Sequence, residues 1–233
     1  NPCGEQPLHD YESCNLGSIN LANFHAPKAK DHFDWDRFRQ IVRLGVRFLD
    51  DVIDVNRYPL PEIDRTTRAS RRIGLGVMGW ADLLLLMKVR YDSPKALALA
   101  DKVAGFLRAE ATAASRDLAG ERGSFPAIAH SVYKGGKMRN ATVFTIAPTG
   151  TISRIAGCSS SIEPVFAFEV TSKIIDSELK DVHPIYADWK AKNPDKPLPD
   201  WFRAAHEIAP EWHIKTQAAF QKHVDNSVSK TIN

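Results

Sequence analysis

The chain has 233 residues, enough to bury a substantial core as one large domain or a large piece of one. Hydrophobic residues make up 43% and charged residues 25%, and the net charge of +3 is scattered without a Lys/Arg run, so nothing points to a nucleic-acid polymer as partner. The longest apolar stretch, around Leu83 to Met87, is far too short for a membrane span, and the opening lacks the basic-then-apolar order of a secretory signal; a reducing, cytoplasmic setting is the simplest reading.

Taken in order, the first 24 residues lack helical periodicity. Pro2, Gly4, Pro7, Gly17 and Asn20 punctuate them, predicting an ordered loop and then a short extended run, Ser18 to Ala22. Asp34 to Asn56 predicts an amphipathic helix, with Phe38, Ile41, Val42, Phe48, Leu49, Val52 and Ile53 at helical spacing and Asp34 able to cap its start. Pro59 and Pro61 end that segment. Arg71 to Gly79 reads as a strand, and Gly74 and Gly76 within it imply a backbone that something approaches closely. A short helix through Trp80 to Met87 follows. Ser93 and Pro94 look like the cap and first turn of an Ala-rich helix to about Ala119, broken by Gly120, Gly123 and Pro126.

Ala141 to Ala147 predicts a strand leading into Pro148-Thr149-Gly150-Thr151-Ile152-Ser153, and Val165 to Val170 another. Lys190 to Asp200 is Pro- and Lys-rich and reads as an exposed excursion. Pro210 and Glu211 open a helix to about Val224, and Ser227 to Ile232 closes the chain as a strand. Alternating strands and helices predict an α/β fold with a largely parallel sheet. Neither repeats nor a dividing linker are found, and both ends read as interior to a longer chain.

Cys3, Cys14 and Cys158 are too few and too odd in number for a disulfide framework, and none forms a CxxC pair suited to structural zinc. They are either inert buried thiols or reactive ones. In an extended loop, alternate side chains point the same way, so Asn1, Cys3 and Glu5 can converge on one ligand with an amide, a thiol and a carboxylate. That set suits a reaction needing an orienting group, a sulfur nucleophile or radical, and a general base; the alternative is a Pro-Gly turn with incidental polar residues. Pro148 to Ser153, a strand end running into a short helix, offers backbone N–H groups and hydroxyls to an anion, without the lysine of a Walker loop. His206 and His213 are not spaced as an HExxH pair and read as surface or satisfied histidines. Trp189, Trp201 and Trp212 read as packing residues.

Asn1 to Leu8 followed by Ser13 to Leu21 resembles the active-site loop of ribonucleotide reductases, in wording nearest to the adenosylcobalamin-dependent (class II) enzymes. The resemblance continues through Gly74 to Asp82, Arg139 to Thr142, Ala147 to Ser153, Ser161 to Pro164, Ala205 to His213 and Asp225 to Asn233; Val170 to Leu198 is the least recognisable part.

The resemblance implies reduction of ribonucleotides to deoxyribonucleotides by a thiyl-radical mechanism. Cys3 would be the thiyl that removes the 3′-hydrogen, Glu5 would take the 3′-hydroxyl proton, and Asn1 would orient the substrate. Cys14 would be one of two reducing thiols that end as a disulfide, the other lying outside this chain. Pro148, Thr149, Gly150, Thr151, Ile152 and Ser153 would hold the substrate phosphates, with Gly157 and Ser159 to Ser161 shaping the same region and Cys158 a small buried residue beside it. The implied cofactor is adenosylcobalamin, and the implied partners are a thioredoxin-like dithiol, the N-terminal half of the enzyme and a second copy in a homodimer.

The implied fold is part of a ten-stranded α/β barrel, incomplete at both ends. Residues 1–24 would form the central finger loop and following strand, and 25–233 the second half-barrel with an excursion near 176–200. Two rival readings are a class I large subunit, dependent on a metal-cofactor partner, and a non-catalytic nucleotide-phosphate-binding half-barrel. Retention of Asn1, Cys3, Glu5 and Cys14 together speaks against the latter, because binding alone needs no thiol.

Overall fold

The computed structural model describes residues 3–174 and 177–232, the side chains of 172–180 excepted. Strand β1 (Asn15–Asn20) lies parallel to β2 (Ile73–Met78), in register from Asn15 opposite Ile73 to Asn20 opposite Met78. The connection between them carries helix α1 (Trp35–Val55) and helix α2 (Pro61–Ser70), the crossover that parallel strands require. After β2 come α3 (Trp80–Leu86) and α4 (Pro94–Arg122), and the chain then returns beside β2 as an extended segment. Ile73 and Leu75 donate their N–H groups to Thr142 and Val143, and Thr145 donates to Leu75.

The third interval holds α5 (Gly150–Ile155), an antiparallel hairpin of β3 (Glu169–Ile174) and β4 (Ser177–Val182), α6 (Pro184–Lys192) and α7 (Pro210–Gln221). The chain then comes alongside the 142–146 segment, where Ile146 donates to Ser227 and Ser229 to Ile146. Leu75 bridges Phe144 and Ile146 bridges Val228, both in parallel sense. Four chain segments therefore lie side by side in sequence order, all parallel. Among the described residues this array does not close into a barrel.

Local signals explain the long helices. Asp34 accepts from the Arg37 N–H at the start of α1, and Ser93 accepts from the Ala96 N–H at the start of α4, each satisfying a donor the helix itself leaves unpaired. The buried stripe of α1 (Phe38, Val42, Val46, Leu49, Ile53) meets β1 and β2 on one side and α4 on the other. Arg39, Arg43 and Arg47 form an outer ladder of ion pairs to Glu110, Asp117 and Glu121 of α4. The close approach implied by the glycines of β2 is made by the 142–146 segment. A Cβ at Gly74 would lie 2.5 Å from the Thr145 methyl, and one at Gly76 would collide with the Thr145 carbonyl oxygen.

Several expectations need correction. The first strand runs Asn15–Asn20, not Ser18 to Ala22, because Asn20 turns its side chain back to accept from the Ala22 N–H and starts a single 3-10 turn. Pro61 begins α2 as its first residue rather than only ending what precedes it, since a first-turn proline has no hydrogen bond to lose. Helix α4 continues through Gly120 to Arg122 and stops at Gly123, whose φ of +83° suits glycine. The stretches 141–147 and 227–232 pair only at isolated bridges. Of the stretch Val165 to Val170 only Glu169 and Val170 are strand. Val165 sits in a second, smaller core with Ala81, Leu85 and Phe202, and the hairpin begins at Glu169. That hairpin and α6 occupy the region expected as an excursion, with α6 ending at Lys192 before an irregular run to Asp200.

Candidate active site

The opening loop is held by the edge of the parallel array. Gly4, at φ +73°, turns the chain between an exposed Cys3 and a buried Glu5. The Glu5 carbonyl accepts from the Ser227 N–H at 3.1 Å and from the Thr145 hydroxyl at 2.5 Å, so one peptide group is tied to two neighbouring segments. Asn1 and Pro2 lie outside the described residues.

Gln6 is 1% exposed, and its amide Nε2 donates to the Cys14 sulfur at 2.9 Å. The Gln6 Oε1 accepts from Asn226 Nδ2, the Asn226 Oδ1 accepts from Arg72, and Arg72 Nε donates to Glu12 at 3.0 Å. Cys14 in turn reaches the Asn15 carbonyl at 3.4 Å. Burial pushes its thiol up to about 12, against the opposing pull of the Arg72 charge and the Gln6 amide. Downstream, Asp225 accepts from the N–H groups of Val143 and Phe144 and pairs with Arg108. The terminal segment is thereby fastened to the same sheet edge.

The Pro148 to Ser153 run divides into two sets. Thr149 adopts a left-handed conformation (φ +54°), and its buried hydroxyl accepts from the Ser161 N–H at 2.7 Å. The buried Ser153 hydroxyl bonds Ser160 at 2.8 Å. These two side chains hold the loop together. Pro148 is half-buried, whereas Gly150, Thr151 and Ile152 face outward in the first turn of α5, where backbone N–H groups have no partner within the helix.

Beside this run lies a cavity of about 920 Å³, lined among others by Asp82, Arg154, Ser159, Ser160 and His183. Asp82 is nearly buried; one carboxylate oxygen lies 2.9 Å from His183 Nε2 and the other accepts from the Ser159 N–H at 2.8 Å. Cys158 is half-buried on the cavity wall rather than buried, and desolvation with the nearby Asp82 charge raises its thiol to about 11.

His206 is exposed, as expected of a surface histidine, whereas His213 is fully buried with its Nδ1 2.9 Å from Lys230 Nζ. Burial and the Lys230 charge hold the His213 imidazole below its usual range. Lys230 also pairs with Glu163, whose second oxygen accepts from the Thr231 N–H. Trp189 and Trp201 pack in the smaller core and Trp212 against the larger one, as their packing role requires.

The roles of Gln6, Asn226 and Thr145 were missed by sequence reasoning, although all three fall in or beside recognisable runs. A polar residue flanked by chemistry-bearing ones was the available signal. His183 gave none, since it comes from the least recognisable stretch and meets Asp82 only through folding.

Comparison with known proteins identifies the family. The description "Ribonucleotide reductase, barrel domain" matches residues 1–138 and 133–233. The chain belongs to the ribonucleotide reductase family and forms part of its barrel domain. Over its full length it is 46% identical to a vitamin B12-dependent ribonucleoside-diphosphate reductase of Thermoplasma acidophilum and 47% identical to one of Mycobacterium tuberculosis. It covers 33% and 37% of those two proteins, so the chain spans about a third of the length of the curated relatives it matches. A ribonucleoside-diphosphate reductase subunit alpha of Chlamydia pneumoniae is 29% identical over 98% of the chain.

Proposed function

We propose that this chain carries the catalytic loop of a vitamin B12-dependent ribonucleotide reductase, with Asn1, Cys3, Glu5 and Cys14 in the roles the resemblance gives them. One observation carries the reading: Gln6 joins the loop bearing Cys3 and Glu5 directly to the Cys14 sulfur. An inert thiol and a solvent-facing turn would need no such link. The much higher identity to the B12-dependent relatives than to the subunit alpha of Chlamydia pneumoniae favours cobalamin over a metal-cofactor partner. The names of those relatives favour a diphosphate substrate. The four parallel segments in sequence order fit a half-barrel of a ten-stranded barrel, with residues 1–24 as its finger loop and following strand and 25–233 as the half-barrel proper.

In this reading the exposed Cys3 thiol, as a thiyl radical, takes the 3′-hydrogen of the ribose and returns a hydrogen at the end of the cycle. Glu5 accepts the 3′-hydroxyl proton, which becomes acidic once a radical lies on the adjacent carbon. Cys14 and a second thiol from outside this chain give up two protons and two electrons. The 2′-hydroxyl leaves as water, a C–H bond replaces it, and the two sulfurs form a disulfide that an external dithiol reopens by exchange.

Asn1, with Gly150, Thr151 and Ile152 at the start of α5, orients the nucleotide and its phosphates. Among the described residues no group of three or more His, Cys, Asp and Glu side chains is placed to hold a metal ion. The residue that would receive the chemistry of a bound adenosylcobalamin is Cys3, the exposed thiol of the loop. Adenosylcobalamin supplies, when bound, the carbon-centred radical that starts the cycle.

The deciding experiment is ribonucleotide reduction by the full-length protein with Cys3→Ser. Loss of turnover with unchanged folding is expected, and a normal rate would refute the assignment. Dependence on added adenosylcobalamin is expected for the unsubstituted protein; activity without it, requiring a di-iron partner instead, would refute the cofactor reading. Thr151→Val should raise KM for the nucleotide, while Thr149→Val should act through stability because its hydroxyl holds Ser161.

A further inference from the structure

We infer that Gln6 is the positioning residue for the Cys14 thiol, its side-chain amide acting as the last donor in a directional hydrogen-bond chain that runs from Arg72 through Asn226 to the sulfur. The inference rests on the proposal that Cys14 is a reducing thiol. Its geometric basis is independent of that proposal.

A glutamine amide has a donor end and an acceptor end, and which end faces a neighbour must be fixed by the surrounding hydrogen bonds. Here the fixing starts from a group with no ambiguity. Arg72 can only donate, so the Asn226 atom 3.2 Å from its Nη1 must be the oxygen. Asn226 therefore presents its amino group to Gln6, whose oxygen must take that bond. The Gln6 amino group is left facing Cys14 at 2.9 Å. Every donor along the chain points toward the sulfur, and such chains polarise one another in a buried setting. Gln6 is 1% exposed, so water does not replace this contact cheaply.

The Cys14 sulfur has a second neighbour, the Asn15 carbonyl at 3.4 Å, which can receive the thiol hydrogen. With the proton directed there, the lone pairs are left to the Gln6 donor. That donor favours the thiolate, the form that attacks and re-forms disulfides. The charged groups bearing on the sulfur are Arg72, which favours the thiolate, and Glu12 and Glu5, which oppose it. Gln6 adds a neutral donor that offsets part of the effect of burial and the two carboxylates, which still hold the thiol well above its ordinary range.

The test uses Gln6→Met in the full-length protein, because methionine keeps the side chain's length and removes both amide functions. Alkylation of Cys14 by iodoacetamide is followed against pH by quantifying the labelled peptide, with Cys3 and Cys158 as internal controls. A donor role predicts Cys14 labelling about tenfold slower at a given alkaline pH, the whole profile moved upward by about one unit, and control labelling unchanged. It also predicts slower turnover at limiting external dithiol. A packing role predicts a Cys14 profile like that of the unsubstituted protein, and that result overturns the inference.

Asn226→Asp provides a second reading should Gln6→Met fail to fold. It removes the group that orients Gln6 and should shift the profile in the same direction; no shift would overturn the proposal. Retained ribonucleotide reduction in Cys14→Ser would instead defeat the functional reading of Cys14 while leaving the labelling result intact.

Discussion

Two adjacent arginines at the entrance to β2 serve opposite sides of the sheet. Arg71 turns toward α1 and meets the fully buried Asp50 at 2.8 Å and Asp54 at 2.7 Å. Arg139 and Asn140 join the same Asp50 carboxylate at 3.0 and 2.9 Å. Arg72 turns toward the opening loop and meets Glu12 and Asn226 beside Cys14. Both clusters bury charge with matched partners, as a low-dielectric interior demands. The first joins fixed charges, backbone and the Asn140 amide, and ends in nothing reactive. The second ends at a sulfur. Burial of polar groups is therefore common to both clusters; what distinguishes them is the group on which the chain of bonds terminates.

The largest effect expected from breaking this comparison is on the Arg71 side. Asp50→Ala leaves Arg71 and Arg139 buried without their shared partner and should cost about 3–5 kcal/mol of stability by urea unfolding. A loss under about 1 kcal/mol would show that water reaches this hub. Gly76→Ala should follow at about 1–3 kcal/mol, because the added methyl meets the backbone oxygen of Thr145 rather than a movable side chain. It should also lower activity, since the Thr145 hydroxyl holds Glu5.

On the Arg72 side the sharper probe is pH. Burial raises the Glu12 carboxyl, but hydrogen bonds from Ser70, the His9 N–H and Arg72, with the Arg72 charge, outweigh it and hold the group below its ordinary range. A carboxyl depressed in the folded state contributes stability above its unfolded value and loses it as pH falls through the folded one. Thermal unfolding should therefore show a Glu12-dependent loss of stability on acidification below the ordinary glutamate range, and Glu12→Gln should flatten that part of the profile. An unchanged acid limb would remove Glu12 from the network. Smallest are changes remote from both arginines. Ser93→Ala should cost about 1 kcal/mol through its lost cap, and Arg43→Ala, in the exposed ladder, at most about 1 kcal/mol. A larger cost at Arg43 would make the α1–α4 ladder a cooperative network.

Helices α1, α3, α4 and α7, the β2 strand and the close approach at Gly74 and Gly76 were legible because each is written in local periodicity, caps or glycines. The hairpin and α6 were not. Their stretch carries little apolar periodicity, and Val165, which looked like strand, is buried by a neighbouring core instead. In the site, residue types and a family resemblance picked out Cys3, Glu5 and Cys14. They gave no reason to choose Gln6, a neutral amide whose importance depends on partners 8 and 220 residues away.

The sequence by itself determined the family and the main helices and singled out the side chains proposed for the chemistry, because these reside in short patterns that survive without coordinates. Tertiary structure alone decided which of two neighbouring arginines faces the thiol and that a glutamine connects the loop to it. It likewise divided the Pro148 to Ser153 run into outward groups and structural hydroxyls. Direction and burial are set by distant segments meeting at one sheet edge, and no local pattern encodes such a meeting.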